Sequence, residues 1–400
     1  MVGGFQKMLR FLFFLFLGIF VGIFTGLIPG LHVNLVALTL VYYSDYLKNL
    51  FSVTELGVFI ISVAVTHTFL DNIPGIYLGA NEDNILNVLP GHRMLMNGRG
   101  YDAVRYTLIG SFFSLFLCLV FVPLFIFILP YFYDWLKNWI GYLVLGVMVF
   151  LIVRSKSVVR VIFIFLMSGL LGYIVLELMN FDDGIFPMLS GLFGFSGMIG
   201  SLMNKVFVPE QIIDSDFEID NVSEIVCATI LGFFAAFLPG IGSSQVAIIG
   251  QQFLNDLDDR GFLVLIGGIN TVNLIFSLVT LYVLNKARNG AVLAIQQLGG
   301  FNLEIMVLLL ICGFIAGCVS LIVGILISRV FSKFISKIDY QKLVLCVLGF
   351  VTCMVYYFTG FLGLFILFVA MCIGIVCGYL EIGKHYCMGC LILPVIIFFL

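Results

Sequence analysis

The chain has 400 residues, of which 62% are hydrophobic and only 10% charged, with a formal net charge of −3. A soluble domain of this length needs a far more polar surface, and no basic cluster is dense enough to indicate nucleic acid binding. The composition therefore predicts an all-α polytopic membrane protein. Long solid apolar runs, rather than short alternating segments, exclude a β-barrel.

The apolar runs approach or exceed the length that spans a bilayer. They lie at 11–29, 53–74, 106–130, 139–153, 158–180, 262–285, 303–328, 343–358 and 361–380. The first run is not followed by an A-x-A-like cleavage site and a soluble domain, so we expect a retained helix rather than a signal peptide. With re-entrant segments included, the sequence predicts about 10–12 membrane segments.

Two parts of the chain match one another. The stretch TGLIPGLHVNLVALTL (25–40) aligns with AAFLPGIGSSQVAIIG (235–250), which places Pro29-Gly30 over Pro239-Gly240 and Gly22 over Gly232. Later stretches match in the same order: 142–152 with 345–355, and 170–178 with 376–383. The sequence therefore predicts two membrane repeats, 1–205 and 222–400, joined by an acidic linker at 206–221.

The distribution of Lys and Arg indicates how the repeats are oriented, because these residues concentrate in cytoplasmic loops. We take the N-terminus as cytoplasmic and each Pro-Gly unit as one net crossing. The loops at 75–105, 154–160, 255–261, 329–342 and 384–386 then lie inside and hold most basic residues. The acidic linker falls outside if 185–203 is a re-entrant hairpin. In this scheme the two repeats have inverted topology.

The paired Pro-Gly loops predict two broken helices at membrane depth. A break in lipid leaves backbone N–H and C=O groups that need partners, and paired breaks are typical of secondary transporters. The residues after each break suit an anion, because exposed N–H groups at a helix start bind negative charge. One loop alone reads more simply as a helix cap. The residues predicted to contact substrate are Pro29, Gly30, His32, Asn34, Pro239, Gly240, Gly242, Ser243, Ser244 and Gln245.

A second group of polar residues lies in apolar spans, where such residues face a cavity or one another. His67 and Asp71 are spaced i,i+4 and share a helix face, so they could equally satisfy each other at a helix end. Asp71 is the best candidate for cation or proton coupling. The residues predicted to couple or support the site are His67, Asp71, Asn72, Asn270, Thr271 and Asn273.

The motifs GLIPGLH, AFLPGIGSS, NIPG (72–75) and GHRMLMNGRGYDAVRY (91–106) resemble the large permease subunit of tripartite tricarboxylate transporters, the TctA family. The match looks closest to a shorter, archaeal-type branch. The resemblance implies ion-driven uptake of carboxylates, with a periplasmic binding protein and a small membrane subunit as partners. It also implies substrate contacts at the two Pro-Gly loops. His32 stands where the family commonly has a small residue.

These observations predict a secondary-active, cation-coupled permease for an organic anion, a di- or tricarboxylate, that works by alternating access between the repeats in the plasma membrane. The alternative is a translocase for polyprenyl phosphate, whose phosphate would suit the same N–H groups. An intramembrane enzyme is disfavoured, since neither HExxH nor GxSxG is present. No resident metal or cofactor is expected beyond a coupling Na⁺ or H⁺, and homo-oligomerisation stays open.

Overall fold

The computed structural model describes residues 2–29, 31–78, 85–203, 208–213, 220–237, 243–254, 257–287 and 289–400, and its regular elements are all helical. The α-helices, in chain order, are α1 Val2–Leu27, α2 Val33–Tyr42, α3 Ser44–Leu50, α4 Val53–Leu70, α5 Asn72–Leu78, α6 Ile85–Met96, α7 Gly100–Leu136, α8 Ile140–Val153, α9 Val158–Tyr173, α10 Ile185–Leu189, α11 Ser196–Met203, α12 Val222–Phe237, α13 Ser243–Phe253, α14 Asp259–Leu284, α15 Gly290–Leu298, α16 Leu303–Ile335, α17 Tyr340–Tyr379 and α18 Gly389–Phe399. A π-helical turn, Ile174–Leu178, extends α9, and another, Ser190–Phe195, joins α10 to α11.

Within the described ranges, eight helical segments are long and apolar enough to cross a membrane, and four shorter apolar helices accompany them. The longest, α17, is two helices in sequence. Gly360 interrupts it with φ +64°, a left-handed conformation that only glycine adopts readily. These segments confirm the predicted class, a polytopic α-helical membrane protein.

The same order of helices occurs twice along the chain. Taken in order, α1 corresponds to α12, α2 to α13, α4 and α5 to α14, α6 to α15, α7 to α16, the two parts of α17 to α8 and α9, and α18 to α10 and α11. Helices of each half also pack on helices of the other half. Helix α7 packs on α14 and α16 packs on α4. In the same way, α9 packs on α18 and α17 packs on α10 and α11. Neither half therefore buries its helices without the other.

Corresponding helices run in opposite directions. Asp71 of α4 lies beside Asn270 of α14, while Ile61, ten residues earlier, lies beside the later residue Ile275 at Gly313. In the same way Leu108 of α7 contacts Gly324 of α16, and Leu115 contacts the earlier Gly317. Antiparallel corresponding helices are consistent with two repeats of inverted topology.

The first broken helix is a hairpin that returns to the face it came from. We call α1, α2 and α3 the first hairpin. Helix α1 runs parallel to α4, because Gly18 packs against Phe59, Gly22 against Val63 and Gly26 against His67. Arg10 pairs with Glu55 at 3.7 Å, so the start of α1 lies beside the start of α4. The tip ends near Asp71, while α5 continues the span for seven more residues.

The second hairpin, α12 and α13, has the same design. Helix α12 runs parallel to α14, with Ala228 against Gly268 and Gly232 against Val272. Helix α13 runs back along it, since Gly250 packs against Leu231. Because α4 and α14 are antiparallel, the two hairpins start at opposite faces of the bundle.

These packing directions correct the predicted placement of the N-terminus, the basic loop and the linker relative to one another. A Pro-Gly unit makes no net crossing. The N-terminal end of α1 therefore lies on the face opposite residues 91–105, which follow α5 and which we call the basic loop. The linker residues 208–213 lie on the same face as that loop. There Ile212 donates from its N–H to the carbonyl of Gly98 at 2.8 Å, and the Gln211 side chain accepts from the N–H of Gly100 at 2.8 Å. The linker and the basic loop therefore cannot lie on opposite sides, as the scheme required.

Segment 185–203 spans the bundle rather than re-entering it. Ile366 contacts Gly184 and Leu367 contacts Gly191, while the later Gly374 packs against Ser196, so the segment runs parallel to the second part of α17. Its far end leads to the linker on the basic loop's face. This crossing is the reason that the linker lies there.

Candidate functional site

The tips of the two hairpins meet in one cluster of polar side chains. The rings of His32 and His67 lie edge to face with centroids 4.9 Å apart. Asp71, one turn beyond His67, accepts from the side-chain amide of Asn270 at 3.5 Å. Asn270 in turn accepts from the Ser243 hydroxyl at 3.4 Å. The chain of contacts therefore joins the first hairpin, α4, α14 and the second hairpin.

His32 forms the first tip together with the Pro-Gly break. Pro29 has no backbone N–H and follows directly on the last turn of α1, which ends at Leu27. His32 adopts extended backbone angles (φ −93°, ψ 149°) and caps α2: its ring Nδ1 accepts from the N–H of Asn34 at 3.1 Å. A ring nitrogen that accepts carries no hydrogen, so this contact corresponds to the neutral imidazole protonated at Nε2.

His67 and Asp71 are placed by the end of α4. His67 is 4% exposed and Asp71 7%, so both are buried in a span that is mostly apolar. Asp71 ends α4 and is followed at once by α5, which contains Pro74. A buried ionisable residue at membrane depth is costly unless neighbouring groups interact with it, and such residues mark functional sites.

Neutral polar residues form the second tip. Ser243 begins α13, and both it and Gln245 are buried. Asn270 and Asn273 lie on α14 and are partly exposed. When the 26-residue spans Val53–Leu78 and Asp259–Leu284 are aligned at their first residues, His67 of the first corresponds to Asn273 of the second.

The structure does not bring every predicted residue into this cluster. The Thr271 hydroxyl donates to the carbonyl of Gly267 on its own helix, and the Asn72 amide donates to the carbonyl of Thr68. Ser244 follows Ser243 in the first turn of α13, and Pro29 lies in the break that forms the first tip. Gly30, Pro239, Gly240 and Gly242 lie outside the described residues.

One contributor to the site carries no local sequence signal. Gly290, the first residue of α15, packs directly against the side chain of Asn34, so closely that a Cβ there would collide with the amide. The Asn34 carbonyl oxygen is buried and accepts no hydrogen bond from the described residues. Asn289 caps α15, and an Asn before an apolar run indicates a helix start, but nothing near Gly290 in the sequence indicates its contact with Asn34.

The electrostatics of the cluster suit a guest with negative charge. Helices α2 and α13 both begin at a tip, and helix starts carry partial positive charge and unpaired N–H groups. The histidine rings add groups that can become cationic. Asp71 is the one carboxylate that the described residues contribute, and it can hold a proton or a small cation.

The face that carries the basic loop has its own link between the halves. Arg93 of α6 forms a bidentate ion pair with Asp259 at the start of α14, and hydrogen bonding to that carboxylate raises the pKa of Arg93. Burial lowers the pKa of the neighbouring His92 below its usual value. This face is therefore closed by charged contacts that lie away from the polar cluster.

Comparisons with known proteins agree with this architecture. The sequence matches the model of the tripartite tricarboxylate transporter TctA family over residues 12–389. It is also 30% identical over 359 residues to an uncharacterized protein of Methanocaldococcus jannaschii, an alignment that covers 86% of this chain and 88% of that protein. No solved structure matches the chain. The chain therefore belongs to the TctA family of tripartite tricarboxylate transporters, and is a membrane transport permease.

Proposed function

We propose that this permease is a secondary-active transporter of an organic anion, a di- or tricarboxylate, coupled to the movement of a cation. The observation that supports this most directly is the meeting of two hairpin tips from opposite faces in one polar cluster. Carboxylate oxygens would bind between the starts of α2 and α13. Asn34, Ser243 and Gln245 would supply further polar contacts.

The coupling cation would bind at Asp71. A buried carboxylate is costly to keep charged, so a proton or Na⁺ at this residue would relieve the cost and change its bond to Asn270. Asn270 also contacts Ser243, so a change at Asp71 would alter the hydrogen bonds of the second hairpin. This link would tie cation binding to the geometry of the anion site.

Alternating access would come from relative movement of the two halves. Each hairpin packs on the span of its own half, α1 on α4 and α12 on α14, while the long helices α7 and α16 pack on the span of the other half. A tilt of one hairpin-and-span unit against the other would open the cluster first to one face and then to the other.

The distribution of charge supports one orientation in the plasma membrane. The face of the basic loop carries most of the described Lys and Arg residues, namely Arg93, Arg99, Arg105, Arg154, Lys156, Arg160, Arg260, Arg329, Lys333, Lys337, Lys342 and Lys384. The opposite face carries Lys7, Arg10, Lys48, Lys137 and Lys286. We therefore assign the first face to the cytoplasm. This assignment places the N-terminus on the extracytoplasmic side, the reverse of the prediction from sequence.

The family also suggests partners. A substrate-binding protein and a small membrane subunit complete a tripartite system, and the binding protein would deliver substrate to the extracytoplasmic face. We assign no catalytic role to any residue, since the proposed cycle moves its substrate without covalent change.

Uptake by the full-length protein in proteoliposomes tests the proposal. Radiolabelled citrate, with an inward proton or Na⁺ gradient, should accumulate above its external concentration and stop when the gradient is dissipated. Ser243→Leu and Asn270→Leu should abolish uptake in protein that remains folded. Full uptake by both variants would remove the site. Binding of a polyprenyl phosphate instead of citrate would favour the lipid-carrier alternative.

A further inference from the structure

His32 holds the first hairpin tip by the same ring nitrogen that would take up a proton. Its Nδ1 accepts from the N–H of Asn34 at 3.1 Å, which leaves the other nitrogen, Nε2, as the one that bears hydrogen in the neutral ring. A proton added to the neutral ring must therefore go to Nδ1. The cap of α2 and the protonated imidazole exclude one another.

We propose that His32 is the residue that takes up the coupling proton, and that this proton switches the tip of α2 into its anion-binding form. On protonation, Nδ1–H can no longer accept, so the N–H of Asn34 is released and becomes a donor for the anion. This inference rests on the proposed function, because it concerns the same anion site. It places a coupling proton on His32, so the cation site proposed at Asp71 is then a site for Na⁺.

The charges at the tip make proton and anion binding mutually dependent. A cation at a helix start is unfavourable, because the helix already presents partial positive charge there. A bound carboxylate offsets both, so the anion favours the protonated ring and the protonated ring favours the anion. The coupling is reciprocal by thermodynamic necessity. Each therefore binds more weakly without the other, which is the property that a symporter needs.

The groups around the tip are compatible with one proton at His32. On α4, the facing titratable residues are His67, with its ring centroid 4.9 Å away, and Asp71 beyond it. Helix α15 has no titratable residue. The charged residues of α1 and α3 (Lys7, Arg10, Asp45 and Lys48) lie at the far end of the hairpin, near Glu55. Two cationic rings in contact would repel, so His67 stays neutral or pairs with Asp71 when His32 is charged.

Calorimetry of citrate binding to the purified full-length protein in lipid nanodiscs tests the assignment. Titrations in buffers of different ionisation enthalpy give the number of protons taken up per citrate. Citrate itself titrates near neutral pH, so the decisive quantity is the difference between protein variants. His32→Asn is the informative change, because Asn caps a helix well but takes up no proton. His92→Asn is the matched control, because His92 is a partly buried histidine on α6, away from the polar cluster.

We expect His32→Asn to take up about one proton fewer per citrate than the wild type, and its citrate affinity to lose the roughly tenfold weakening per pH unit that the wild type shows on the alkaline side. His92→Asn should keep both. The assignment is overturned if His32→Asn takes up as many protons as the wild type, or if the loss appears only in His67→Asn or Asp71→Asn.

Nitrogen NMR of ¹⁵N-histidine-labelled protein separates this inference from the proposed function. Without any anion, the His32 Nδ1 should show the shift of a nitrogen that bears no hydrogen, and His32→Ser, another capping residue, should remove that signal while the protein stays folded. A protonated Nδ1 in the anion-free protein at neutral pH would refute the cap. Failure of citrate to bind, with this signal present, would refute the carboxylate proposal and with it the linkage, but not the cap.

Discussion

The two hairpin tips share a design but differ in chemistry. The first tip carries the titratable residue His32, and two further titratable residues, His67 and Asp71 of the α4 end, lie beside it. The second is formed by Ser243 and Gln245, and its span contributes Asn270, with Asn273 at the position that matches His67. The repeated helices thus bring both tips to one cluster, while its described ionisable groups lie at the first tip.

The two tips therefore share their backbone design and differ in which side chains each half places there. Packing against a parallel span, the Pro-Gly break and the helix start at the tip occur in both halves, because they follow from backbone geometry. Charge is expensive at membrane depth, and a site needs it only once. We infer that the first half carries the proton or cation, and that the second half supplies neutral hydrogen-bonding groups that follow its state.

The largest expected effect comes from removing the carboxylate of the first half. Asp71→Asn should lower gradient-driven citrate uptake in proteoliposomes by at least about 30-fold, since losing one partner of a buried charged contact costs roughly 2–5 kcal/mol. Asn273→Ala, at the position that matches His67, should lower it by less than about tenfold, because it removes a neutral amide and no charge.

The double variant Asp71→Asn/Asn270→Asp sharpens the test by moving the carboxylate to the second half. Partial recovery of uptake would show that the cluster needs a carboxylate but tolerates either helix. Wild-type uptake by Asp71→Asn alone would contradict the division of roles between the halves.

The next effect tests the shared part of the design. Gly22 and Gly232 correspond in the two hairpins, and a Cβ at either would lie 2.6 Å from a side-chain atom of its own span, Thr66 or Val272. Gly22→Leu and Gly232→Leu should each destabilise the fold by about 1–3 kcal/mol, because overpacking forces the helices apart. Thermal unfolding in detergent, followed by size-exclusion chromatography, measures the loss.

The chain offers a matched pair of controls for this experiment. Gly146 and Gly349 also correspond in the two halves, and no described atom outside the local helix backbone lies within 4 Å of a Cβ built on either. Leucine at these positions should leave the unfolding temperature nearly unchanged. Equal losses at all four glycines would show that the helix surface, and not the hairpin packing, sets the effect.

Much of this architecture could be predicted from the sequence, because it depends on local rules. Long apolar runs gave the helices, and the matching Pro-Gly breaks gave the two interrupted helices and their order. The contact between Asp71 and Asn270 is the kind of contact expected when polar residues lie in apolar spans. Gly290 could not be found in this way, since its role depends on a neighbour, Asn34, that is remote in sequence.

The prediction of which segments lie on the same face of the helix bundle was wrong, and the reason is physical. Helix α1 has 26 residues, enough to cross a bilayer, and hydropathy cannot tell whether the chain after Pro29 goes on or turns back. The answer lies in tertiary contacts: glycines at 18, 22 and 26 hold α1 parallel to α4. Counting the first hairpin as a crossing placed the N-terminus on the same face as the basic loop, and treating 185–203 as a re-entrant hairpin placed the linker on the opposite face from that loop.

A smaller effect is expected from the ion pair that joins α6 to α14. Its counterpart helix α15 has no charged residue, so this link exists on one face only. Both side chains are more than a third exposed, at 59% for Arg93 and 37% for Asp259, so solvent screens the pair. A double-mutant cycle with Arg93→Gln and Asp259→Asn should give a coupling of about 0.2–1 kcal/mol that shrinks as salt is raised. A coupling that does not change with salt would mean that the contact is not electrostatic.

The smallest effect concerns the helices that follow α7 and α16. Asp339 caps α17, accepting from the N–H of Lys342 at 3.3 Å, whereas α8 begins at Trp139 without a side-chain cap. The ion pair and hydrogen bond with Lys342 hold the pKa of Asp339 below its ordinary value. A carboxyl whose pKa is lowered by folding stabilises the fold above its unfolded pKa, and this contribution is lost as the pH falls through the folded value. Asp339→Ala should therefore lower the unfolding temperature slightly at neutral pH and not at all well below about pH 4. Since Asp339 is exposed, a large effect at neutral pH, or one that survives in acid, would mean that the residue acts through packing and not through its charge.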